Sequence, residues 1–163
     1  MRLRWLALTS LTVLMLQLGW PSGAAPSLVV PNFFLIYMVL LSVYVDAVRL
    51  MWVALAGGLA LDLMAGPEQF GVNMAFYILT VLVLKVVLQF DVRNAQAATL
   101  VASTIALTFL YGAVSHLSLV GIGYIAQWWP KLSRILVEAL WNSAMVAVGI
   151  SVIQLRQRGI ISS

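Results

Sequence analysis

Five acidic side chains and one histidine carry most of the acid–base capacity of this 163-residue chain. The most telling is Asp62, in the stretch GGLALDLMAGPEQFGVN from Gly57 to Asn73. Gly58, Asp62 and Gly66 recur at every fourth position and share one helix face, and Gly71 follows a short polar break. Small residues at that spacing let a second helix approach closely, so the acid between them is turned toward protein. Two chemistries are open to it. One is structural, a hydrogen-bonding group that fixes packing or caps a neighbouring helix end. The other is a proton or cation site. A lone carboxylate makes a poor relay, which favours the structural role.

The remaining candidates sort by depth along the chain. Asn73, His116, Glu138 and Asn142 fall toward the same end as Asp62 and form a candidate outer polar cluster with it. His116 alone is more often a satisfied packing residue than a ligand. Lys85 falls toward the opposite end, too far from Asp62 to pair with it. Glu138 stands four residues after Arg134, and Asp46 three before Arg49, so both read as local ion pairs of modest energy.

The motifs of catalysis are missing. There is no phosphate-cradling glycine loop followed by Lys, no HExxH, no nucleophile elbow and no close pair of carboxylates. The absence of cysteine excludes thiolate metal sites, disulfides and cysteine nucleophiles. The expectation is a protein that is not an enzyme and holds neither metal nor cofactor.

The elements that position these residues follow from composition. The chain is 63% hydrophobic, 9% charged and has a mean hydropathy of +1.05. A soluble domain carries roughly 25% charged residues, so this chain has too little polar surface for water. A bilayer core of about 30 Å takes roughly 20 apolar residues per helix. Six such runs are present: Trp5–Trp20, Leu28–Val45, Leu50–Gly66, Phe70–Phe90, 97–120 and Leu132–Leu155. None alternates polar and apolar as a barrel strand would. The fold class expected is therefore an all-α polytopic membrane protein, one domain over residues 1–163 with six transmembrane helices.

Finer features complete that picture. Pro31 sits in the first turn of the second run, where a missing N–H costs least. The fifth run breaks around Gly121 and Gly123, and Tyr124–Trp129 then reads as an interfacial aromatic anchor. Arg2, Arg4 and the small residues Ser22, Gly23 and Ala24 imitate a secretory signal. The near-spanning length of the apolar stretch favours an uncleaved first helix instead. With the N-terminus inside, seven basic residues lie on the cytoplasmic side: Arg2, Arg4, Arg49, Lys85, Arg93, Arg156 and Arg158. Only Lys131 and Arg134 lie outside. That bias places both termini in the cytoplasm. No basic patch with interleaved aromatics marks a nucleic-acid surface.

Taken together, the Gly58-xxx-Asp62-xxx-Gly66 run with Gly71, Pro31-Asn32 opening the second span and arginines at both ends resemble the rod shape-determining MreD family. The resemblance covers nearly the whole length. It implies a non-catalytic scaffold of the bacterial cell-elongation complex in the cytoplasmic membrane, helping to control cell shape and peptidoglycan synthesis. It implies MreC, through its single transmembrane helix, as direct partner. MreB and RodA with its transpeptidase are implied as indirect partners, the lipid bilayer as surroundings, and a homodimer is left open. On this reading Gly58, Asp62, Gly66 and Gly71 serve partner binding or helix packing.

The family's fold is similar to the substrate-binding subunits of energy-coupling-factor vitamin transporters, which makes such a subunit the principal rival. Those subunits commonly carry Ala-xxx-Ala in the first helix. Here Ala7 is followed at that spacing by Leu11. A vitamin pocket would also want more hydrogen-bonding side chains than the sparse outer cluster offers. A proton-coupled carrier built on Asp62 and Lys85 suffers from their separation in depth and lacks an internal repeat.

Overall fold

The computed structural model describes residues 3–19, 30–65, 67, 70–90, 96–119 and 128–157. They form six helices: α1 (Leu3–Gly19), α2 (Phe33–Ser42), α3 (Ala47–Ala65), α4 (Val72–Phe90), α5 (Gln96–Leu119) and α6 (Trp128–Gln157). Four contain stretches long and apolar enough to cross a membrane: Ala47–Ala65, Val72–Gln89, Ala97–Val114 and Leu132–Leu155. Their outward faces are apolar too, with Trp52 66% and Leu140 68% exposed. Apolar surface on that scale is unstable in water, and lipid is its natural solvent. The chain is membrane-embedded, and the regular secondary structure among the described residues is all helical.

The second helix departs from its expected span. Residues 28–45 read as a full crossing, whereas the helix covers ten residues, about 15 Å at 1.5 Å per residue. It is apolar on every face and therefore sits inside the bundle. Phe34, Leu35, Met38 and Val39 are wholly buried, and α2 packs against all five other helices. A periodicity reading cannot tell such a core helix from a spanning one, because both are uniformly apolar.

Side chains close both ends of α2. At its start Asn32 is the N-cap, its Oδ1 accepting from the Leu35 N–H at 2.9 Å. At its end the Lys85 ammonium donates to the carbonyls of Ser42 (2.7 Å) and Val45 (2.6 Å). Lys85 thus satisfies carbonyls that the end of the helix leaves open and complements the negative pole of its dipole.

Asp46 opens α3 in the same manner, its Oδ1 accepting from the Arg49 N–H at 3.0 Å. The Arg49 side chain returns to Oδ2 at 3.1 Å, the one ion pair among the described residues. That backbone hydrogen bond, helped by the guanidinium charge, holds the Asp46 carboxyl below the ordinary carboxylate range. A depressed carboxyl stabilises the fold above its unfolded pKa and loses that contribution as pH falls through the folded one. The other expected pair does not form. Arg134 is exposed, and Glu138 turns toward a cavity.

Around α2, α3 and α4 pack as an antiparallel hairpin and α5 and α6 as another. α1 is tied to α2 where Thr9 and Ser10 meet the Tyr37 hydroxyl at 2.8 and 3.0 Å. α6 begins at Trp128, four residues before the expected span, and α5 ends at Leu119. Gly121, Gly123, Tyr124 and the signal-like Ser22, Gly23 and Ala24 lie outside the described residues.

Gly57 decides how closely α3 approaches the centre. A Cβ built there would fall on the Phe34 ring, which is fully buried and has nowhere to turn. Gly57→Val should therefore destabilise the protein by about 1–3 kcal/mol, the usual range for overpacking. Gly19 has open space around it, so Gly19→Ala is the neutral control. Thermal unfolding in detergent checks this, and equal melting of the two variants would refute it.

Candidate functional site

Asp62 lies 1% exposed near the end of α3, facing the beginning of α4. Its Oδ1 accepts from the Asn73 N–H at 2.9 Å and its Oδ2 from the Met74 N–H at 3.0 Å. These are two of the four N–H groups that an α-helix leaves unsatisfied at its start. The residue in the capping position is Gly71, with φ +91°, a conformation that L side chains rarely adopt. Gly71 has no side chain to cap with. Asp62 supplies the capping oxygens from the neighbouring helix, where the dipole also favours a negative charge.

Gly58, one turn earlier on α3, makes the approach possible. A Cβ there would stand 2.5 Å from Met74 Cα and 2.9 Å from its nitrogen, both backbone atoms. The face carrying Gly58 and Asp62 therefore meets α4 of the same chain. Gly66 lies outside the described residues.

From Asn73 the polar contacts continue inward. Its Oδ1 pairs with the Tyr111 hydroxyl at 3.0 Å, linking α4 to α5. Beside it, the Tyr77 hydroxyl donates to Asn32 Oδ1 at 3.0 Å. The Asn32 N–H donates to Asn142 Oδ1 at 2.9 Å, and Asn142 Nδ2 reaches Thr108 Oγ1 at 3.0 Å. Asn142 is wholly buried. One amide thus joins α6, α5 and the start of α2. Aromatic rings floor the region, with Phe34 edge-on to Tyr77 at 4.7 Å and Phe76 against Tyr111 at 4.8 Å.

These groups border a cavity of about 260 Å³ lined by Gln17, Asn32, Asn73, Tyr77, Tyr111 and Glu138 among others. It sits at the end of the bundle where α3 finishes and α4 begins. Of the candidate outer cluster, Asn73 and Glu138 line this cavity directly. Asn142 reaches it through Asn32. His116 belongs to α5, and its side chain lies outside the described residues. Lys85 is at the opposite end, bound to the carbonyls that close α2.

Asn32, Tyr77, Tyr111, Thr108 and Gln17 were not among the sequence candidates. A signal existed for some of them. Asn32 directly before an apolar run is a capping signature, and a tyrosine hydroxyl within an apolar span must find a partner. Nothing in the sequence joins Thr108 to Asn142.

The arrangement binds and braces. Both Asp62 oxygens are spent on backbone N–H groups, and among the described residues no three His, Cys, Asp or Glu side chains could share a metal ion. No protein-family model, curated protein or solved structure matches the chain.

Asp62→Ala removes both capping acceptors and should destabilise the protein by roughly 1–3 kcal/mol, the usual cost of leaving buried donors unsatisfied. Asp62→Asn keeps one acceptor and should lose about half as much. Gly58→Ala must push backbone from backbone and should resemble Asp62→Ala. Hydrogen exchange at the Asn73 and Met74 amides provides the measurement. Protection unchanged in Asp62→Ala would exclude the cap.

Proposed function

We propose that this chain is a non-catalytic scaffold subunit of the bacterial cell-elongation machinery, similar to MreD, in the cytoplasmic membrane. The observation that carries the reading is the use made of Gly58, Asp62 and Gly71. All three are consumed in locking α3 to α4, which leaves the acid no reaction to perform. The result is a rigid hairpin suited to presenting a surface. In this reading the chain crosses the bilayer six times with both termini cytoplasmic, and the ten-residue α2 forms only the buried part of its second crossing. α2 passes inside the bundle, its capped ends shielded from lipid.

The surface that suits a partner helix is an apolar groove of about 400 Å³ between α1 and α3. Small residues Ala7, Ser10 and Ala56 line it beside Leu11, Leu14 and Trp52. Helices associate in lipid through close van der Waals packing over small residues, with no hydrophobic drive between them. The single transmembrane helix of an MreC-type protein is the occupant proposed, with MreB filaments and the RodA–transpeptidase pair reached through it.

A second reading, the substrate-binding subunit of a vitamin transporter, is favoured by one observation. The cavity gathers Gln17, Asn32, Tyr77 and Tyr111 around Asn73 and Glu138, more hydrogen-bonding groups than the sequence alone assembled. Its volume of about 260 Å³ lies below the roughly 300–1,000 Å³ of ordinary ligand pockets, which weighs toward the scaffold.

Filling the groove tests the scaffold reading. Ala7→Leu with Ala56→Leu should reduce co-purification of an MreC-type partner at least tenfold while leaving thermal unfolding of the isolated protein unchanged. Full retention of the partner by that double variant would reject the groove. Co-purification with transporter ATPase subunits instead would favour the second reading.

A further inference from the structure

The cavity beside Asp62 contains polar groups that the fold itself does not use. Asn32 is 4% and Asn73 6% exposed, and each turns its Oδ1 to a protein donor. Their Nδ2 groups have no hydrogen-bond partner among the described residues. For Asn32 the amide orientation is fixed, because the Leu35 N–H can bond only to an oxygen. Gln17 repeats the pattern, its Oε1 accepting from the Phe34 N–H at 3.4 Å and its Nε2 unpaired among the described residues. Glu138 lines the same cavity and has neither a hydrogen bond nor an ion pair among the described residues.

A buried amide N–H left open costs free energy, and a carboxylate in an apolar bundle costs more. Here the buried amide groups of Asn32 and Asn73, the half-buried amide of Gln17 and the half-buried Glu138 carboxyl border a single volume. The set is complementary to a molecule that carries a positive donor at one end and oxygen acceptors close by. The size agrees. About 260 Å³ corresponds to roughly eight or nine waters at about 30 Å³ each, enough for a small headgroup.

We propose that this cavity binds a small ammonium-bearing zwitterion, its ammonium on Glu138 and its oxyanion on the amide groups of Asn32, Asn73 and Gln17. Two sources share this chemistry, the headgroup of an ethanolamine phospholipid and a free amino-phosphate or amino acid. The inference stands apart from the scaffold reading, which requires no ligand. No bond is made or broken. Tyr77 and Tyr111, whose hydroxyls hold Asn32 and Asn73, are positioning residues.

The test uses the whole protein in neutral detergent, with native mass spectrometry and thermal unfolding as readouts. The probes are phosphoethanolamine, phosphatidylethanolamine, and phosphoglycerol and phosphatidylglycerol as partners lacking the amine. The expected result is binding and a raised melting temperature with the amine probes only. Glu138→Gln, which keeps hydrogen bonding but removes the charge, should weaken amine binding at least tenfold while the ligand-free protein melts no lower than the unaltered one. Binding of the lipid alone identifies a headgroup site. Binding of phosphoethanolamine as well identifies a site open to soluble amines. Equal binding of amine and hydroxyl probes by the unaltered protein overturns the proposal, even where Glu138→Gln fails to fold. Undiminished amine binding by a folded Glu138→Gln overturns it too.

Discussion

A helix that begins or ends among other helices in lipid cannot hand its open N–H and C=O groups to water. Each must be met by another part of the protein, at a cost of several kcal/mol where it is not. This constraint organises the bundle. The start of α4 is met by the Asp62 carboxylate, the start of α2 by Asn32, and the end of α2 by Lys85. Two charged side chains within apolar helices, the usual mark of transport or catalysis, are both occupied in closing helix ends. Their placement follows the helix dipole, with the anion at an N-terminus and the cation at a C-terminus.

The capping scheme explains why a short helix can sit at the centre. Ten residues cannot bridge a core of about 30 Å, yet α2 is buried on all sides and closed at both ends. Surrounding helices then pack on it through contacts that leave no room for added bulk, as at Gly57 on Phe34. The polar chain from Tyr77 through Asn32 and Asn142 to Thr108 fixes the start of α2 against α4, α5 and α6. Polar contacts of this kind in lipid gain little net energy each, but they specify one arrangement among many apolar ones. The cavity beside them is the place where that satisfaction is incomplete.

The alternatives for Asp62 were separable only in part from its neighbours in sequence. Spacing with Gly58 showed that the acid faces protein, because small residues at every fourth position admit a backbone. Whether that backbone belonged to this chain or to a partner depended on the path of the chain after Ala65. The Arg134–Glu138 pairing failed for a similar reason. Spacing on one helix makes a pair available, but Glu138 faces the cavity while Arg134 is exposed.

By itself the sequence determined the solvent and the element type. Composition and uninterrupted apolar runs leave no water-soluble solution, and backbone hydrogen bonding in lipid then demands helices. Helix existence followed from the uninterrupted apolar runs, although Pro31, expected in the first turn of its span, lies before Asn32, the N-cap of α2. Only the tertiary structure decided which helix is the core, which end each ionisable group closes, and which polar groups share a cavity. Those outcomes depend on contacts such as Asn32 with Asn142, 110 residues apart in the chain, and no local pattern encodes a distance of that kind.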